Sequence, residues 1–125
     1  QPTSPLRKSS TISDAVRLLT ENGSVGSVYG VIEAEHHPYK TFIANDSTLL
    51  PVGSIEDLSR SRHELPKAYR QSGSIYVVGV QDFLTSNSLH ISPVRWIEVG
   101  QEEAIDVDTP ADLEAVRQAA RNANA

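Results

Sequence analysis

Apolar residues along this chain alternate between two kinds of spacing, and that alternation constrains the fold more than any other feature. Within residues 12–19 they recur three and four positions apart, as on one face of a helix. Within residues 74–80 (SIYVVGV) they are nearly continuous, which is typical of a strand buried on both faces of a sheet. Segments of the two kinds interleave from one end to the other. The pattern predicts an α/β fold.

Turn-forming residues separate the predicted strands. Single strands are predicted at residues 25–33, 94–99 and 104–107, in addition to the apolar strand opened by Gly73. A hairpin is predicted over residues 39–52, around the turn Asn45-Asp46-Ser47. The polar residues 54–68 between the hairpin and Gly73 predict one short helix.

Capping residues mark the predicted helix ends. The first helix is expected to start at Ser10 or Thr11, with Asp14 as the capping acid, and to stop at Gly23. A short helix or turn is expected at residues 82–87. The last helix starts at Thr109-Pro110 with Asp112 as its capping acid. Its buried stripe is predicted to consist of Leu113, Val116 and Ala120.

Composition excludes several classes of protein. At 125 residues, 38% of them apolar, the chain is long enough to bury a core. No apolar run approaches the ~20 residues that cross a bilayer, so we expect no membrane partner. The absence of cysteine excludes disulfides and thiolate metal sites, and we expect a cytoplasmic location. A net charge of −5 argues against nucleic acid as a partner.

Charged residues are segregated along the chain. Residues 59–70 carry four basic side chains against Glu64 alone, whereas residues 98–114 carry seven acidic side chains and no basic one. The first segment is suited to an anion and the second to a divalent cation.

Asp106 and Asp108 are the strongest candidates for chemistry in the acidic segment. Alternate residues of a strand project to the same face, so on the predicted strand both carboxylates can approach one point. Two carboxylates at a strand end suit Mg²⁺, which prefers oxygen ligands and keeps waters and substrate phosphates in its shell. The alternative is a solvated strand end whose acids favour the following helix dipole.

Arg62, Arg70 and Lys40 are the candidates for binding an anion. The planar guanidinium groups match carboxylate or phosphate geometry, and Lys40 supplies a point charge. The alternative is a solvated basic stretch that contributes little. The adjacent His36 and His37 suggest zinc only weakly, because neighbouring residues of a strand point to opposite faces and no third ligand follows at a suitable spacing.

Four segments, in order, resemble acylneuraminate cytidylyltransferases, the CMP-sialic acid synthetases. They are residues 1–7 (QPTSPLR), 35–41 (EHHPYKT), 65–76 (LPKAYRQSGSIY) and 104–110 (AIDVDTP). The last motif is shared by several sugar nucleotidyltransferases, and the middle two are more specific. The resemblance extends over essentially the whole chain.

The resemblance implies a nucleotidyltransferase α/β sandwich around a mostly parallel sheet. In that family a first strand leads into a Gly- and Lys/Arg-rich loop that cradles the CTP phosphates. This chain has no such loop and no methionine. We therefore expect residues 1–125 to be the C-terminal part of a single cytidylyltransferase domain, with residues 39–70 as a dimerisation or lid extension in a homodimer.

The resemblance also implies a reaction and roles for residues. The anomeric hydroxyl of a nonulosonic acid attacks the α-phosphate of CTP, and pyrophosphate leaves. Asp106 and Asp108 would hold Mg²⁺, and Arg70, also in a catalytic role, would meet an anionic group together with Lys40 and Arg62. The sugar would contact Gln1, Ser72 and Tyr76.

Two departures from the family leave alternatives open. Gln71-Ser72 replaces a common Pro-Asn, and Leu89-His90 stands where bacterial sialic acid synthetases can carry two aromatics, so legionaminic- or pseudaminic-type sugars are alternative substrates. A non-catalytic dimerisation or sugar-binding module is the alternative function. A nucleotidyltransferase for another acidic sugar, such as 3-deoxy-manno-octulosonate, is disfavoured by residues 35–38.

Overall fold

The structure, a computed structural model, describes residues 2–123, which divide into two compact units. The first unit contains the chain before Glu33 and after Arg70, and the second unit is Glu33–Arg70. Gln1, a predicted sugar contact, lies outside the described residues. Helices and strands are mixed, so the predicted α/β class is confirmed.

The elements follow one another in this order: α1 (Ser9–Glu21), β1 (Ser27–Glu33), β2 (Phe42–Asn45), β3 (Thr48–Pro51), β4 (Tyr69–Val78), α2 (Val80–Ser86), β5 (Val94–Glu98) and α3 (Pro110–Ala123). Among residues 2–123, none of these helices has both the length and the apolar character needed to cross a membrane.

The first unit contains a three-stranded sheet with the strand order β4-β1-β5. Strands β1 and β5 are parallel, with Ser27 opposite Val94 and Val31 opposite Glu98. Strand β1 starts at Ser27, two residues later than predicted. Gly26, the residue before it, has a φ of +83°, which lies outside the extended backbone conformation of a strand.

The core of the first unit lies between α1 and one face of this sheet. Its buried members are Ala15, Leu19, Val28, Ile32, Ile75 and Val99. Each fully buried Val, Leu or Ile side chain contributes roughly 1.5–3 kcal/mol. The helix predicted from the spacing within residues 12–19 is confirmed, and Ala15 and Leu19 are buried, but Ile12 and Val16 of the same pattern are exposed.

The start of α1 differs from the prediction. Lys8 occupies the capping position and Ser10 lies inside the helix. Asp14 forms an ion pair with Arg17 at 2.8 Å instead of closing a capping box. The acid that satisfies the first turn is Glu103, whose Oε2 accepts from the Lys8 backbone N–H and the Thr11 hydroxyl.

Strand β4 is longer than predicted and does not begin at Gly73. It starts at Tyr69, and Gly73 lies within it at a φ of +77°. A residue with this backbone interrupts the regular alternation of a strand, as at a β-bulge, and only glycine adopts it without strain.

The predicted strand at residues 104–107 is wrong. Residues 101–104 form turns, in which Ala104 donates its N–H to Gly100 and Ile105 donates to Glu102, and the segment that follows is irregular. The turns use backbone groups that a strand would have offered to a neighbour. Asp106 and Asp108 therefore lie on a loop that leads into α3.

The start of α3 is as predicted, and its buried stripe is only partly so. Thr109 Oγ1 accepts the Asp112 N–H at 3.3 Å, and Asp112 Oδ2 accepts the Thr109 N–H at 2.7 Å, which is a capping box. Val116 is buried, but Leu113 is exposed, so the prediction for Leu113 is wrong.

The second unit contains the predicted hairpin. Strands β2 and β3 pair antiparallel, with Phe42 opposite Pro51 and Asn45 opposite Thr48. Two single 3₁₀ turns, Glu56–Leu58 and Arg62–Glu64, replace the one predicted helix. Their serine and acid side chains satisfy backbone groups locally, as where Ser61 N–H donates to Glu64 Oε2, and such bonds compete with a continuous helix.

Candidate functional site

The acidic loop is held in the first unit by the segment that precedes α1. Val107 donates its N–H to Thr3 O at 2.8 Å. From the same segment, Arg7 Nη1 donates to Ser74 O of β4 at 2.7 Å. Residues 3–7 thus connect the acidic loop with β4.

Asp106 has the chemistry of a binding residue. Its side chain is half-buried, and Oδ1 is buried with no hydrogen-bond partner among residues 2–123. A Cβ built on Gly73 would lie 4.0 Å from Asp106 Oδ2, so β4 passes close to this carboxylate at a position that has no side chain. A buried carboxylate oxygen without a donor is costly in an isolated chain, and a cation or a donor from a ligand would satisfy it.

Asp108 is exposed, and its neighbour Asp112 is engaged elsewhere. Asp112 Oδ2 accepts from the hydroxyl and the N–H of Thr109 and from the Asp108 N–H. The Thr109 hydroxyl bond, followed by the backbone bonds, lowers the pKa of Asp112. Asp112 is therefore a capping residue, and of the two aspartates predicted to bind a metal, Asp108 is exposed and Asp106 is half-buried.

Two carboxylates suit one kind of metal better than others. Across residues 2–123 there is no group of three or more His, Cys, Asp or Glu side chains that could hold a metal ion. A zinc site needs three or four such ligands, whereas Mg²⁺ is commonly held by one or two carboxylates with waters and substrate phosphates. The donor set at Asp106 and Asp108 fits Mg²⁺.

Ser72, a predicted sugar contact, is buried inside the sheet. Its hydroxyl donates to Gly30 O at 2.8 Å and lies 2.7 Å from the Ser74 hydroxyl. With its proton committed to Gly30, the Ser72 oxygen is left to accept from Ser74 and from the Ser74 N–H. The role of Ser72 in binding substrate stays a prediction.

Tyr76 belongs to an aromatic cluster that we define as Tyr29, Tyr76 and His90. The ring centroids are 5.3 Å apart for Tyr29–Tyr76, 5.7 Å for Tyr29–His90 and 6.0 Å for Tyr76–His90, all edge to face. Tyr29 Oη and His90 Nδ1 share a hydrogen bond of 2.7 Å. Tyr29 is buried, while His90 is exposed. The cluster gives Tyr76 a fixed orientation.

The sequence does not predict the contact between two members of this cluster. It places Tyr29 in a strand, and it uses His90 only in the Leu89-His90 departure from the family. Their 61-residue separation conceals the contact, since periodicity detects neighbours on one element and not partners on two.

In the second unit, Lys40 and Arg62 line one cavity of about 280 Å³, together with Glu35, His36, His37 and Thr41. Their charged groups already hold backbone carbonyls. Lys40 Nζ donates to Leu58 O at 2.7 Å and to Arg60 O, and Arg62 Nη2 donates to Ala34 O at 2.5 Å. Both cations thus stabilise the loops of this unit as well as bordering a cavity.

Two further cavities of the second unit are bordered by cations. Arg70 lines one of about 430 Å³ with His36 and Tyr69. The other, of about 340 Å³, is lined by Arg62, Lys67 and His63 among others. Basic side chains predicted from the charge pattern are therefore brought to concave surfaces of Glu33–Arg70.

His37 is a structural histidine. Its Nδ1 accepts the Tyr39 N–H at 3.1 Å, and its Nε2 lies 2.8 Å from Pro66 O. Because Nδ1 accepts, Nε2 carries the proton and donates to Pro66. Both ring nitrogens are engaged, so neither offers a lone pair to a metal.

Several known proteins are similar in sequence to this chain. The chain is 32% identical over 114 residues to a CMP-N,N'-diacetyllegionaminic acid synthase of Legionella pneumophila, covering 90% of this chain and 48% of that protein. It is 30% identical over 115 residues to N-acylneuraminate cytidylyltransferases of Streptococcus agalactiae serotypes III and Ia, covering 90% of this chain and 27% of each.

The chain thus spans about half the length of the first of these relatives and about a quarter of the others. No protein-family model matches it. The resemblance expected from the four motifs is nevertheless confirmed, because the similarity to curated enzymes extends over nine-tenths of the chain. The chain is homologous to a part of the acylneuraminate cytidylyltransferases.

Proposed function

We propose that this chain belongs to an enzyme that transfers CMP from CTP to the anomeric hydroxyl of a nonulosonic acid, releasing pyrophosphate. The observation that carries the proposal is the buried Oδ1 of Asp106, which has no hydrogen-bond partner within residues 2–123 and belongs to a carboxylate close to Gly73 of β4. That atom lies in the motif that also carries Asp108, in a chain homologous to cytidylyltransferases.

Asp106 and Asp108 would hold Mg²⁺ in this enzyme. The cation, when bound, supplies charge neutralisation at the phosphates of CTP. The contribution of the chain is to present two carboxylates from a loop that Thr3 and the α3 capping box hold in place. Such positioning accounts for most of the catalysis in phosphoryl-type transfer.

Two separate sets of residues are candidates for contacts with the sugar acid: Tyr76 in the first unit, and the cations in the second unit. Tyr76 offers a ring face fixed by Tyr29 and His90. The sugar carboxylate would meet Arg62, Arg70 or Lys40, whose charges border the cavities of Glu33–Arg70.

The wider features of the family complete the proposal: a nucleotidyltransferase sandwich, a cytoplasmic location and a homodimer whose extension is residues 39–70. The hairpin supports an interface role, because its apolar side chains Phe42, Ile43, Leu49 and Leu50 are exposed on the isolated chain.

The substrate we favour is a legionaminic-type nonulosonic acid. Leu89-His90 departs from the aromatic pair of bacterial sialic acid synthetases, and one of the similar proteins is named for diacetyllegionaminic acid. His90 adds a polar ring to the cluster where a phenyl ring would be apolar.

The test is to express the complete reading frame that encodes these residues and assay CMP-sugar formation from CTP and Mg²⁺. The sugar panel contains N-acetylneuraminic, diacetyllegionaminic, pseudaminic and 3-deoxy-manno-octulosonic acids. We expect the highest kcat/KM for the legionaminic sugar. Formation of no CMP-sugar from any of the four would contradict the proposed activity.

A non-catalytic sugar-binding module is the second candidate. It is favoured by the cavities bordered by Lys40, Arg62 and Arg70, which lie within Glu33–Arg70 and need no CTP. Titration calorimetry of the 125-residue chain with free sugar acids distinguishes the two. Sugar binding without any turnover by the complete protein would favour the module.

A further inference from the structure

Ser4 is a buried residue that packing alone does not explain. It is 1% exposed, in the segment that precedes α1, and its Oγ has no hydrogen-bond partner among residues 2–123. A buried hydroxyl without a partner destabilises the folded chain, so alanine would serve this position better if packing were its only task.

Other buried serines of the first unit show how such a hydroxyl is normally satisfied. Ser27 Oγ donates to Leu89 O at 2.8 Å and accepts the Ile91 N–H at 2.9 Å. Ser72 and Ser74 bond to each other, and Ser72 bonds to Gly30 O. Ser4 therefore departs from the pattern of its own unit.

Ser4 shares this property with Asp106, and a backbone hydrogen bond joins their neighbours in the chain. Within residues 2–123, Ser4 Oγ and Asp106 Oδ1 are the buried side-chain oxygens or nitrogens that lack a partner. The backbone bond from Val107 N–H to Thr3 O joins the residue after Asp106 to the residue before Ser4. The two unsatisfied oxygens thus belong to residues that flank one backbone hydrogen bond.

We infer that Ser4 Oγ, together with the Asp106 carboxylate, faces one hard divalent cation. This inference rests on the proposed function, in which Asp106 and Asp108 hold Mg²⁺. A cation satisfies two acceptor oxygens at once, and hydroxyl and carboxylate oxygens are ligands of the class that Mg²⁺ and Mn²⁺ prefer. Ser4 then adds a neutral oxygen to a site that has two carboxylates among the described residues.

The test measures Mn²⁺ binding to the 125-residue chain by the loss of the free Mn²⁺ signal in electron paramagnetic resonance. For Ser4→Ala we expect the affinity to fall about tenfold, the scale of losing a supporting ligand contact. The thermal unfolding midpoint without metal should stay unchanged or rise, because an unsatisfied hydroxyl has been removed. A purely structural Ser4 predicts the reverse, a lower midpoint with unchanged Mn²⁺ affinity.

Ser27→Ala is the matched control, because Ser27 is equally buried and its hydroxyl is fully bonded. It should lower the unfolding midpoint and leave the Mn²⁺ affinity unchanged. Ser4→Cys keeps the volume and offers a soft sulfur ligand, so it should weaken Mn²⁺ and strengthen Cd²⁺ binding. If Ser4→Ala does not fold, the Mn²⁺ and Cd²⁺ affinities of Ser4→Cys test the inference in its place.

Asp106→Asn separates this inference from the proposed function. Loss of Mn²⁺ binding in Asp106→Asn with wild-type affinity in Ser4→Ala would overturn the role of Ser4 alone. Wild-type Mn²⁺ affinity in Asp106→Asn would overturn the cation site in this chain. Absence of Mn²⁺ binding to the unmodified chain at concentrations up to about 10 mM, above the dissociation constants of weak sites, would overturn it as well. The CMP-sugar assay of the complete protein tests the enzymatic activity independently of these Mn²⁺ measurements.

Discussion

Thr11 Oγ1 donates a hydrogen bond of 2.8 Å to Oε2 of Glu103, a carboxylate 92 residues away in the sequence. The same oxygen accepts the Lys8 N–H at 3.1 Å, and Lys8 Nζ lies 3.7 Å from the other carboxylate oxygen. Glu103 is buried, so burial raises its pKa, but the bonds from Lys8 and Thr11 outweigh burial and lower it overall. One side chain thus joins the loop before Asp106 to the start of α1.

Glu103→Ala should destabilise the chain by about 1–3 kcal/mol, because the Lys8 N–H and the Thr11 hydroxyl lose their acceptor. Urea unfolding at pH 7 measures the change. Glu102→Ala is the control, since Glu102 is adjacent and exposed and should change stability little. Equal, small effects of the two substitutions would contradict the capping role.

The same carboxylate should make stability depend on acid pH. The folded-state pKa of Glu103 is below its ordinary value of 4.5, so its contribution is fully present above pH 4.5 and is lost as the pH falls through the folded-state pKa. We expect Glu103→Gln to unfold with a shallower loss of stability below pH 4.5 than the wild type. Parallel pH profiles for the two proteins would show that Glu103 is not linked to folding.

Gly26→Ala should prevent folding or cost more than ~3 kcal/mol. The added Cβ would lie 2.1 Å from Pro93 O, and the φ of +83° disfavours any side chain. Gly23→Ala is the matched control, because its φ is +73° but its Cβ would meet nothing within 4 Å, so we expect a cost of only about 1 kcal/mol. Circular dichroism melts compare them.

Tyr29→Phe should cost about 0.5–1.5 kcal/mol in stability, since it removes one hydrogen bond to His90 and leaves the rings packed. In the complete protein we also expect a change in the ratio of kcat/KM between the legionaminic and neuraminic sugars, because His90 Nδ1 loses its hydrogen-bond partner while the rings stay packed. Tyr76→Phe, whose hydroxyl contacts the exposed Gln71, is the comparison. An unchanged sugar ratio in Tyr29→Phe would show that the Tyr29–His90 hydrogen bond has no part in substrate selection.

Asp108→Asn should lower turnover of the complete protein at least ~100-fold, the scale of losing a key electrostatic contact. Asp106→Asn should do the same, whereas Asp112→Asn should act chiefly on stability, because Asp112 caps α3. Turnover with varied Mg²⁺ measures all three. Near-wild-type turnover in Asp108→Asn would defeat its assignment to the metal.

Lys40→Met should destabilise the second unit by about 1.5 kcal/mol, because Leu58 O and Arg60 O lose a charged donor. Hydrogen exchange at residues 58–61 should quicken. Lys67→Met, at an exposed position, should leave exchange there unchanged. If Lys40→Met weakens only sugar binding and not protection from exchange, the cation serves the ligand alone.

Local signals could be read from the sequence, and signals between distant segments could not. Asn45-Asp46-Ser47 specifies its hairpin and Thr109 with Asp112 specifies the start of α3, because all the partners lie within a few residues. The acceptor at α1 comes from Glu103, so Ser10 and Asp14 were the wrong candidates for its cap.

The same distinction between local signals and contacts of distant segments applies to the candidate site. Spacing and charge single out Asp106 and Asp108, but the strand on which the spacing argument depends is a loop bonded to Thr3, so their convergence on one cation stays a prediction. Nothing local in the sequence marks Tyr29 and His90 as partners or Ser4 as unsatisfied, because these properties depend on which segments the fold places side by side.

The unsatisfied oxygens of Ser4 and Asp106 also affect how the chain would respond to engineering. Substitutions that replace these oxygens with apolar atoms relieve a local cost, so a library sorted only for heat resistance should enrich them. The most heat-resistant members would then be those least able to hold a cation, and selection for durability would work against the chemistry proposed for this loop.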